Sequence, residues 1–574
     1  MKFADNSGTS ATTLGKDSSG NSNNFTPSNF SVSAGSGNDS LEDTPTNNFS
    51  IINPLAGYQT TFEVPTNGNL DFSLANGEFA FSSFEIPTSG KWYVEVVFTT
   101  FASGRCGITN LIQKNTTKWN GIDNLGGEIR VDDSAVQSSL SPTIGDNKIV
   151  GIKVDRDAGT IAWEVDGSAA GTAVNISSMS DPNNLVFAVG RNSSGGSAPT
   201  GSINFGQRPF SHLPSGYQSL CSANLPDPTI LLPKQYFGIL TYGGNSSTQT
   251  ITDTDAVNFT PDFVWVKRRD GDNSHILTDA VRGVHKFLVS SRDNDEGDNS
   301  AFLTAFNNGG FTVGNNGDMN GSSRTYVAWN WNAGGSTATN SNGTISSQVR
   351  ASATAGFSIV TYTGNGTGGA TVGHGLGVAP QVVLVKRRNA ADDWRMNIGP
   401  ILPSGNAGHS LKLNSTGGVN DANNLFNSTD PSSTVFTLGD NADVNGNTST
   451  YLAYCFSSVT NYCKIGTFEG NSNANGSFVN LGFKPAWLLL KQIDGESGAY
   501  WLILDSTRRA FNPNGPSTSL YANANDTENT FGNGTGIDFL SNGFKIRDSL
   551  SYVNLNTVFF IAFAESPFKN ARAV

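Results

Sequence analysis

Apolar and polar residues alternate in many short stretches of the chain, and residues 149–165 show this most clearly. Apolar side chains stand at every second position on both halves of this stretch: Val150, Ile152, Val154, Ile161, Trp163 and Val165. A turn that contains Gly159 separates the two halves. A period of two on either side of a glycine-containing turn predicts an antiparallel β-hairpin.

One longer pattern occurs three times in the second half of the chain. Each copy opens with a short apolar strand that leads to Gly-Asn, and the openings begin at Phe237, Phe357 and Cys463. A proline follows, then an apolar run that ends in lysine six residues later, at 261–267, 380–386 and 485–491. Each copy closes on an alanine between apolar neighbours, at 326–329, 451–454 and 560–563. The openings lie 120 and 106 residues apart, which predicts three related domains rather than the short units of a solenoid.

The proline-led run is apolar at consecutive positions, unlike the alternating hairpin. A strand with two apolar faces belongs in the interior of a structure, so we expect it in the middle of each domain with the closing strand beside it. The third copy departs most from the pattern, with Cys463 in place of Phe and Phe560 in place of Tyr.

Composition supports an all-β chain. Only 14% of the 574 residues are charged and 65 are Gly, and the abundant Asn, Ser and Thr are poor residues for helix interiors. Aromatic residues make up 10%, which argues against disorder. We predict a multi-domain string of antiparallel β-sandwiches. The expected divisions are an extended N-terminal arm (1–54), a first β-sandwich (55–212), a Pro-rich linker (213–234), a first repeat (235–335), a linker (336–355), a second repeat (356–458) and a third repeat (459–574).

Charge restricts the expected partners. The net charge is −12, whereas proteins that bind nucleic acid through its phosphates need clustered Lys and Arg. The basic triplets are 267–269 and 386–388, at the same place in two repeats. They indicate either the capping of a strand end or a ligand contact. We therefore expect no nucleic-acid partner.

Targeting signals are not evident in the chain. The residues after Met1 lack the apolar stretch of a signal peptide, and no segment approaches the ~20 apolar residues of a membrane span. We expect synthesis in the cytoplasm without a signal peptide, and no membrane insertion.

Catalytic motifs are not evident either. The five His show no zinc-type spacing, and there is no P-loop, nucleophile elbow or dinucleotide-binding motif. We expect no enzyme activity, no cofactor and no catalytic metal. Two repeats share Asp-x-x-Arg, at Asp279 to Arg282 and at Asp505 to Arg508, whereas the second repeat has Gly399 and Pro400 in that region. The motif indicates either a polar ligand clamp or an ion pair that holds a loop.

Residues 293–299 concentrate acidic side chains in a predicted loop. Oxygen ligands of this kind can bind Ca²⁺, although the bidentate Glu of an EF-hand is missing. A structural Ca²⁺ at 293–299 and a solvated acidic loop are the two interpretations.

Two tryptophans are candidates for ligand binding. Trp119 and Trp394 stand among polar residues, where an indole ring can stack against a sugar. The alternative is that each is a partly buried anchor.

The first predicted sandwich resembles the SPRY domain, a lectin-like bent β-sandwich. The resemblance lies in Gly90-Lys-Trp-Tyr-Val-Glu95, in Gly107-Ile108, in the hairpin that ends at Gly167, and in Ile203-Asn-Phe-Gly206. It implies a binding module that holds protein or glycan ligands in its edge loops and has no catalytic machinery.

The three repeats resemble a domain found in tail-fibre and other adhesion proteins of bacteriophages, especially those of marine bacteria. The similar residues are the opening strand, the proline-led run, Gly310-Phe-Thr-Val313 and the closing 325–331. An amino-terminal stretch like 11–27, followed by Asp43-Thr-Pro45-Thr, is also common in such proteins.

This resemblance implies a virion protein, on the tail or the capsid surface. The expected function is that of a tail fibre or receptor-binding protein that adheres to a host surface glycan or protein by non-catalytic, polyvalent binding, as a homotrimer. The arm (1–54) would contact other tail or capsid proteins, or would only cover the next domain. The alternatives are a capsid fibre, decoration or tail-adaptor protein without receptor specificity, and a polysaccharide depolymerase.

Overall fold

The structure is a computed structural model of the chain. It describes residues 7–33, 39, 47–56, 64–110, 119–123, 127–179, 182, 184–191, 197–403, 405–420, 423–494, 499–508, 517–531 and 536–570. The phage-type motif at 43–46 lies outside these residues. Strands take up 42% of the chain and helices 5%, which confirms the predicted all-β class. The chain forms two compact units, Met1–Asp227 and Pro228–Val574.

The first unit is a sandwich of two antiparallel sheets. Its strands are β1 (Asp71–Ser73), β2 (Phe79–Phe81), β3 (Lys91–Thr100), β4 (Gly104–Asn110), β5 (Asn120–Asp123), β6 (Glu128–Val131), β7 (Ser134–Gln137), β8 (Ile149–Asp155), β9 (Thr160–Val165), β10 (Ser168–Asn175), β11 (Leu185–Arg191), β12 (Thr200–Asn204) and β13 (Gln218–Ser219), with a 3-10 turn at Ile176–Ser178. The sheet orders are β1-β12-β3-β8-β9-β10, with β13 parallel to β3, and β2-β11-β4-β5-β6-β7.

The hairpin predicted at 149–165 is confirmed as β8 and β9. Its register places Ile152 opposite Trp163 and Val154 opposite Ile161, and these side chains are buried. Period-two alternation therefore identified the inner face of this sheet correctly.

Chain segments on either side of the sandwich are folded onto it. Phe49 forms a β-bridge with Cys221, and the amide of Ser50 donates to the carbonyl of Leu220 at 2.9 Å. Both Leu220 and Cys221 are buried, although they fall within the segment 213–234 that we expected to be an extended linker. Apolar side chains at these positions explain why this segment packs instead of extending into solvent.

The second unit contains the three repeats, and the residues that the structure describes form nine strands in each. The first repeat has β14 (Phe237–Gly243), β15 (Gln249–Thr252), β16 (Phe263–Arg268), β17 (Ile276–Asp279), β18 (Lys286–Val289), β19 (Gly297–Asp298), β20 (Leu303–Asn307), β21 (Gly310–Val313) and β22 (Thr325–Trp331). The second has β23 (Ala338–Asn340), β24 (Ser347–Ser352), β25 (Phe357–Thr363), β26 (Ala370–Gly373), β27 (Val382–Arg387), β28 (Arg395–Asn397), β29 (Ser410–Lys412), β30 (Val435–Leu438) and β31 (Thr450–Phe456). The third has β32 (Cys463–Glu469), β33 (Phe478–Asn480), β34 (Phe483–Gln492), β35 (Leu502–Asp505), β36 (Ser517–Tyr521), β37 (Asn529–Phe531), β38 (Ile537–Leu540), β39 (Gly543–Ile546) and β40 (Thr557–Pro567).

Short helices complete the repeats. They are α1 (Gly317–Asn320), α2 (Asn423–Phe426), α3 (Ala442–Asn445) and α4 (Ser551–Asn554), with 3-10 turns at Pro233–Gln235, Gly399–Ile401 and Phe568–Asn570. No helix in the described part of the chain is long and apolar enough to cross a membrane.

Each repeat pairs a large sheet with a small one. The large sheets run β14-β22-β16-β17-β18-β19, β23-β24-β25-β31-β27-β28-β29 and β32-β40-β34-β35-β36-β37. The small sheets are β15-β21-β20, β26-β30 and β33-β39-β38. Separate apolar clusters within the first and second repeats fill the space between their two sheets.

The opposite faces of the three large sheets share one apolar core. This cluster joins Phe263 and Trp331 of the first repeat to Tyr454 of the second and to Trp487 and Phe563 of the third. The proline-led strands are therefore apolar on both faces because one face packs inside its own repeat and the other packs against the neighbouring repeats. The three repeats form a closed ring in which each touches the other two.

The observed register corrects the closing pattern of the third repeat and the residue that Phe560 replaces. In β40, Ile561 lies opposite Ile465, just as Trp329 lies opposite Ile239 and Tyr454 opposite Ile359. Residues 558–561, not 560–563, therefore correspond to the closing pattern of the other repeats, and Phe560 replaces Ala. Its ring lies over Gly466, which leaves the room that the larger side chain needs.

The segment 336–355, expected to be a linker, contributes two strands. β23 and β24 extend the large sheet of the second repeat through pairing with β25. Val349 and Ala355 within it are buried, so the segment belongs to the second repeat.

Candidate functional site

The Asp-x-x-Arg motifs lie where neighbouring repeats of the ring meet. The strand register places Asp279 opposite Phe263 and Asp505 opposite Trp487, at the start of the proline-led strands. In the second repeat, Asn397 pairs with Val383, so Ile398 takes the position of the two aspartates. The three interfaces can therefore be compared position by position.

At the first interface, between the first and second repeats, four charged groups form one network. Arg282 donates from Nε to Oδ2 of Asp279 at 2.5 Å, and its Nη1 lies 3.2 Å from Oε2 of Glu296. Arg388 of the second repeat binds both oxygens of Glu296, at 2.8 and 2.9 Å. The hydroxyl of Tyr454 donates to Oδ2 of Asp279 at 2.9 Å. Arg282 and Asp279 are fully buried, so the network satisfies charges that water cannot reach.

Electrostatics at this interface favour the ionised forms. Burial alone would raise the pKa of Glu296, but Arg388 and Arg282 outweigh it and hold that pKa below its usual value. Burial likewise opposes the charge of Arg282, and the charges of Asp279 and Glu296 nevertheless raise its pKa. The network is therefore a set of mutually compensated ions, and each member depends on the others.

The interface between the third and first repeats has the same construction. Arg508 donates from Nε to Oδ2 of Asp505 at 2.5 Å, and Arg269 of the first repeat binds both oxygens of Glu528 at 2.5 and 2.8 Å. Here the donor that reaches Oδ2 of Asp505 is Nε1 of Trp329, at 3.0 Å. The guanidinium of Arg508 also lies over the Trp329 ring, 5.6 Å from its centroid.

Aliphatic residues replace the whole network at the interface between the second and third repeats. The backbone amide of Val419 donates to the backbone carbonyl of Ile493 at 2.7 Å. The same backbone hydrogen bond joins Glu296 to Arg388 and Glu528 to Arg269 at the other two interfaces. Five apolar residues thus stand where the other interfaces carry Asp, Arg, Glu, Arg and an aromatic donor: Ile398, Ile401, Val419, Ile493 and Ile561. All five belong to or pack against the shared core. The ring therefore has two ionic interfaces and one aliphatic interface.

A second contact recurs at two of the three interfaces. Nε1 of Trp394 donates to the carbonyl of Val289 in the first repeat at 2.8 Å, and Nε1 of Trp501 donates to that of Lys412 in the second at 3.0 Å. His275 has the corresponding position in the first repeat, where it accepts from Nε1 of Trp265 at 2.9 Å. Burial lowers the pKa of His275 well below its usual value, which suits a neutral acceptor.

An apolar cavity lies where the three large sheets meet. Its volume is about 30 Å³, and residues from all three repeats line it, including Phe263, Tyr454 and Trp487. Its lining is entirely apolar. A space of this size, with no polar group, gives a water molecule no hydrogen-bond partner.

The two tryptophans that were candidates for ligand binding are both buried. Trp119 is 0% exposed and packs against Phe79, with 5.7 Å between ring centroids. Trp394 is also 0% exposed and is the indole that bonds to Val289. Neither ring presents a face to solvent, because each fills an apolar core despite its polar sequence neighbours.

The acidic loop at 293–299 pairs largely with cations of the protein. Glu296 contacts Arg282 and Arg388, Asp298 lies 2.7 Å from Nζ of Lys286, and the carbonyl of Asp293 accepts from Lys386 at 3.1 Å. Among the described residues, no group of three or more His, Cys, Asp or Glu is placed to hold a metal ion. The four cysteines are free and buried.

Sequence reasoning found the Asp-x-x-Arg motifs and the basic triplets but did not connect them. Arg269 and Arg388, the last residues of the triplets, bind the glutamates that the motif arginines also contact. The signal was present in the third repeat, where Ile493 follows the shared lysine at the same distance. The third repeat lacks the basic residue of the triplet, and the second repeat lacks the Asp and Arg of the motif. These two losses together indicate that the missing residues belong to one contact between the two repeats.

The fold and its interfaces define a β-sandwich protein whose second unit is a closed ring of three related repeats. Residues 232–567 match the model of a family described as a domain of unknown function (DUF7483), and the chain belongs to this family. No curated protein matches the chain. Among solved structures, it is similar to the SPRY domain of human HERC1, at 11% identity and a TM-score of 0.21, over 28% of this chain and 95% of that one. It is also similar to stonustoxin, at 13% identity and a TM-score of 0.19, over 24% of this chain and 26% of that one.

Proposed function

We propose that the protein is a bacteriophage virion protein, namely a tail fibre or receptor-binding protein that adheres to the bacterial surface without catalysis. The observation that carries the proposal is the ring itself. Its buried Asp, Arg and Glu side chains are consumed in joining one repeat to the next. Such a ring is a rigid support on which three sets of loops can face outward and bind.

The sequence resemblances give the proposal its biological setting. The repeats and the amino-terminal stretch resemble phage adhesion proteins, and the first sandwich resembles a lectin-like binding module. In this setting the arm (1–54) attaches the protein to other tail or capsid proteins. Several weak sites on one particle then gain avidity through their high effective concentration.

Binding of the purified, fluorescently labelled full chain to host cells tests the proposal. We expect saturable binding that unlabelled protein blocks and that phage-resistant cells lack. A folded protein that binds no cells would contradict the receptor-binding role and favour a capsid, decoration or tail-adaptor role. Light scattering on the same sample measures whether copies associate into the homotrimer that we expect.

The same cells distinguish an adhesin from a depolymerase. Reducing sugar released from host polysaccharide by the purified protein would contradict the non-catalytic proposal. A heat-denatured sample is the control, because it removes folded activity without changing composition.

A further inference from the structure

Three tyrosines lie together on the surface of the third repeat. The rings of Tyr500 and Tyr521 are 4.6 Å apart between centroids and tilted by 31°. Tyr552 is hydrogen-bonded to Tyr521, and burial raises the pKa of Tyr552 to about 12, an effect that this hydrogen bond reinforces. We name Tyr500, Tyr521 and Tyr552 the tyrosine patch.

The other repeats show that the fold does not require aromatic residues here. Tyr521 pairs with Leu502 as Lys412 pairs with Arg395 and Val289 with Ile276. Tyr500 lies two residues before Leu502, and Asp393 and Ser274 are the corresponding residues before Arg395 and Ile276. Tyr552 is the second residue of helix α4, and the second residues of α3 and α1 are Asp443 and Asp318. The positions of the patch are thus Asp, Lys and Asp in the second repeat and Ser, Val and Asp in the first, so neither repeat has an aromatic residue there.

The second repeat fills this place with ion pairs. Arg395 lies 2.6 Å from Asp443, and Lys412 lies 2.6 Å from Asp393. These charged side chains satisfy one another. The third repeat instead offers aromatic faces at the same place, on the same backbone.

The patch is partly exposed to solvent. Tyr500 remains 40% exposed, although Tyr521 and Tyr552 pack partly against the shared core. An exposed aromatic ring contributes little to the stability of the fold. Tyr is favoured at binding surfaces, because its ring offers an apolar face and its hydroxyl a polar edge to a ligand.

We infer that the tyrosine patch binds a carbohydrate chain of the bacterial surface, an inference that rests on the proposed receptor-binding function. A pyranose ring has one face of C–H groups, which packs on an aromatic ring, and a rim of hydroxyls, which needs hydrogen-bond partners. The phenol oxygens supply such partners. Burial and, to a smaller extent, the charge of the exposed Asp526 carboxylate raise the pKa of Tyr521, so this carboxylate lies in the neighbourhood of the patch.

The test measures binding of the full chain to an array of bacterial capsular polysaccharides and lipopolysaccharide O-chains, followed by calorimetry with the polysaccharide that binds best. Tyr500→Ser installs the residue type of the first repeat, and Tyr552→Asp installs that of the other two repeats. We expect each to weaken binding about tenfold or more, as the loss of one aromatic contact does. Val378→Ser is the matched control, because it removes a half-exposed apolar side chain from the second repeat. Equal melting temperatures exclude misfolding as the cause.

The outcomes separate this inference from the proposed function. If Tyr500→Ser binds polysaccharide as tightly as the wild type, or if the wild type binds no polysaccharide on the array, the patch is not a carbohydrate site. Saturable binding to host cells with either of these results leaves the receptor-binding role intact. Binding to polysaccharide without binding to cells supports the patch and contradicts the receptor-binding role.

Discussion

The hydroxyl of Tyr454 lies 2.9 Å from Oδ2 of Asp279, so the second repeat completes the hydrogen bonding of a carboxylate buried in the first. In the same way, Nε1 of Trp329 in the first repeat donates a hydrogen bond to the buried carboxylate of Asp505 in the third repeat. Where the second repeat has Ile398 instead of Asp, the third has Ile561 instead of an aromatic donor. Donor and acceptor are thus kept or lost together.

Tyr454→Phe removes the donor and leaves the ring. We expect a loss of about 1.5–3 kcal/mol in the free energy of unfolding, because the bond is to a charged acceptor. Urea unfolding followed by tryptophan fluorescence measures it. Tyr362→Phe is the matched control in the same repeat, since its hydroxyl donates to the neutral carbonyl of Val444 at 2.7 Å and should contribute only about 1 kcal/mol. Equal losses in the two variants would show that Asp279 adds nothing.

The ionic network of the first interface should be replaceable by aliphatic residues only when all of its members are replaced together. Arg282→Ile alone removes the cation that is paired with the buried carboxylate of Asp279, and we expect a loss of about 3–5 kcal/mol. Replacing 279–282 by Ile-Gly-Pro-Ile together with Glu296→Val, Arg388→Ile and Tyr454→Ile copies the aliphatic interface and should recover most of that stability. Chemical denaturation of both variants checks this. A combined variant no more stable than Arg282→Ile would contradict the equivalence of the interfaces.

Acid should weaken the ring through Glu296. Its pKa is lower in the folded protein than the ordinary value of 4.5, so the folded state holds fewer protons than the unfolded state as the pH falls through that region. The stabilisation is present above pH 4.5 and is lost below it. The stability difference between wild type and Glu296→Gln, measured from pH 7 to pH 3, should therefore shrink in acid. Glu565→Gln, which removes an exposed pair with Lys484, should show little difference at any pH.

Mild alkali should stabilise the second unit. Burial lowers the pKa of Lys267, Lys386 and Lys491 to about 8, against 10.5 for an ordinary lysine. Between these values the unfolded chain binds more protons, so stability rises with pH, by at most about 1.4 kcal/mol per pH unit for each lysine.

Unfolding measured from pH 8 to pH 10 checks this slope. Lys386→Met and Lys491→Met should each flatten it, because a neutral side chain does not titrate. A slope that stays the same in both variants would assign the effect to other groups. The range stops at pH 10 because tyrosines in the unfolded chain begin to ionise there.

Local features of the fold were predictable from sequence. The alternation from Val150 to Val165 identified a hairpin, and the recurring proline-to-lysine run identified three repeats in which the closing strand lies beside this run. Both signals come from residues close together in the chain. The two apolar faces of the run were also visible, although they were assigned to the middle of a single sandwich.

The ring was not predictable, because it depends on which sheet faces meet. The polar neighbours of Trp394 left both a sugar-stacking ring and a partly buried anchor open, and neither interpretation included the bond from its indole to Val289 in another repeat. In the third repeat, Ala562 imitated the alanine of the closing strand, and only the pairing with β32 shows that Phe560 holds that position. The tyrosine patch was missed for the same reason, since its members are separated by up to 52 residues and are comparable only after the register is known.

The three different interfaces have a genetic consequence. In an assembly of three identical chains, every coding change is made three times around the axis, and no subunit can differ from the others. Here one chain supplies all three positions, so a single codon alters one position and leaves two as they were. A mutation can therefore change the surface of one repeat while the other two repeats keep theirs. In a ring of three identical chains, the same mutation would change all three positions.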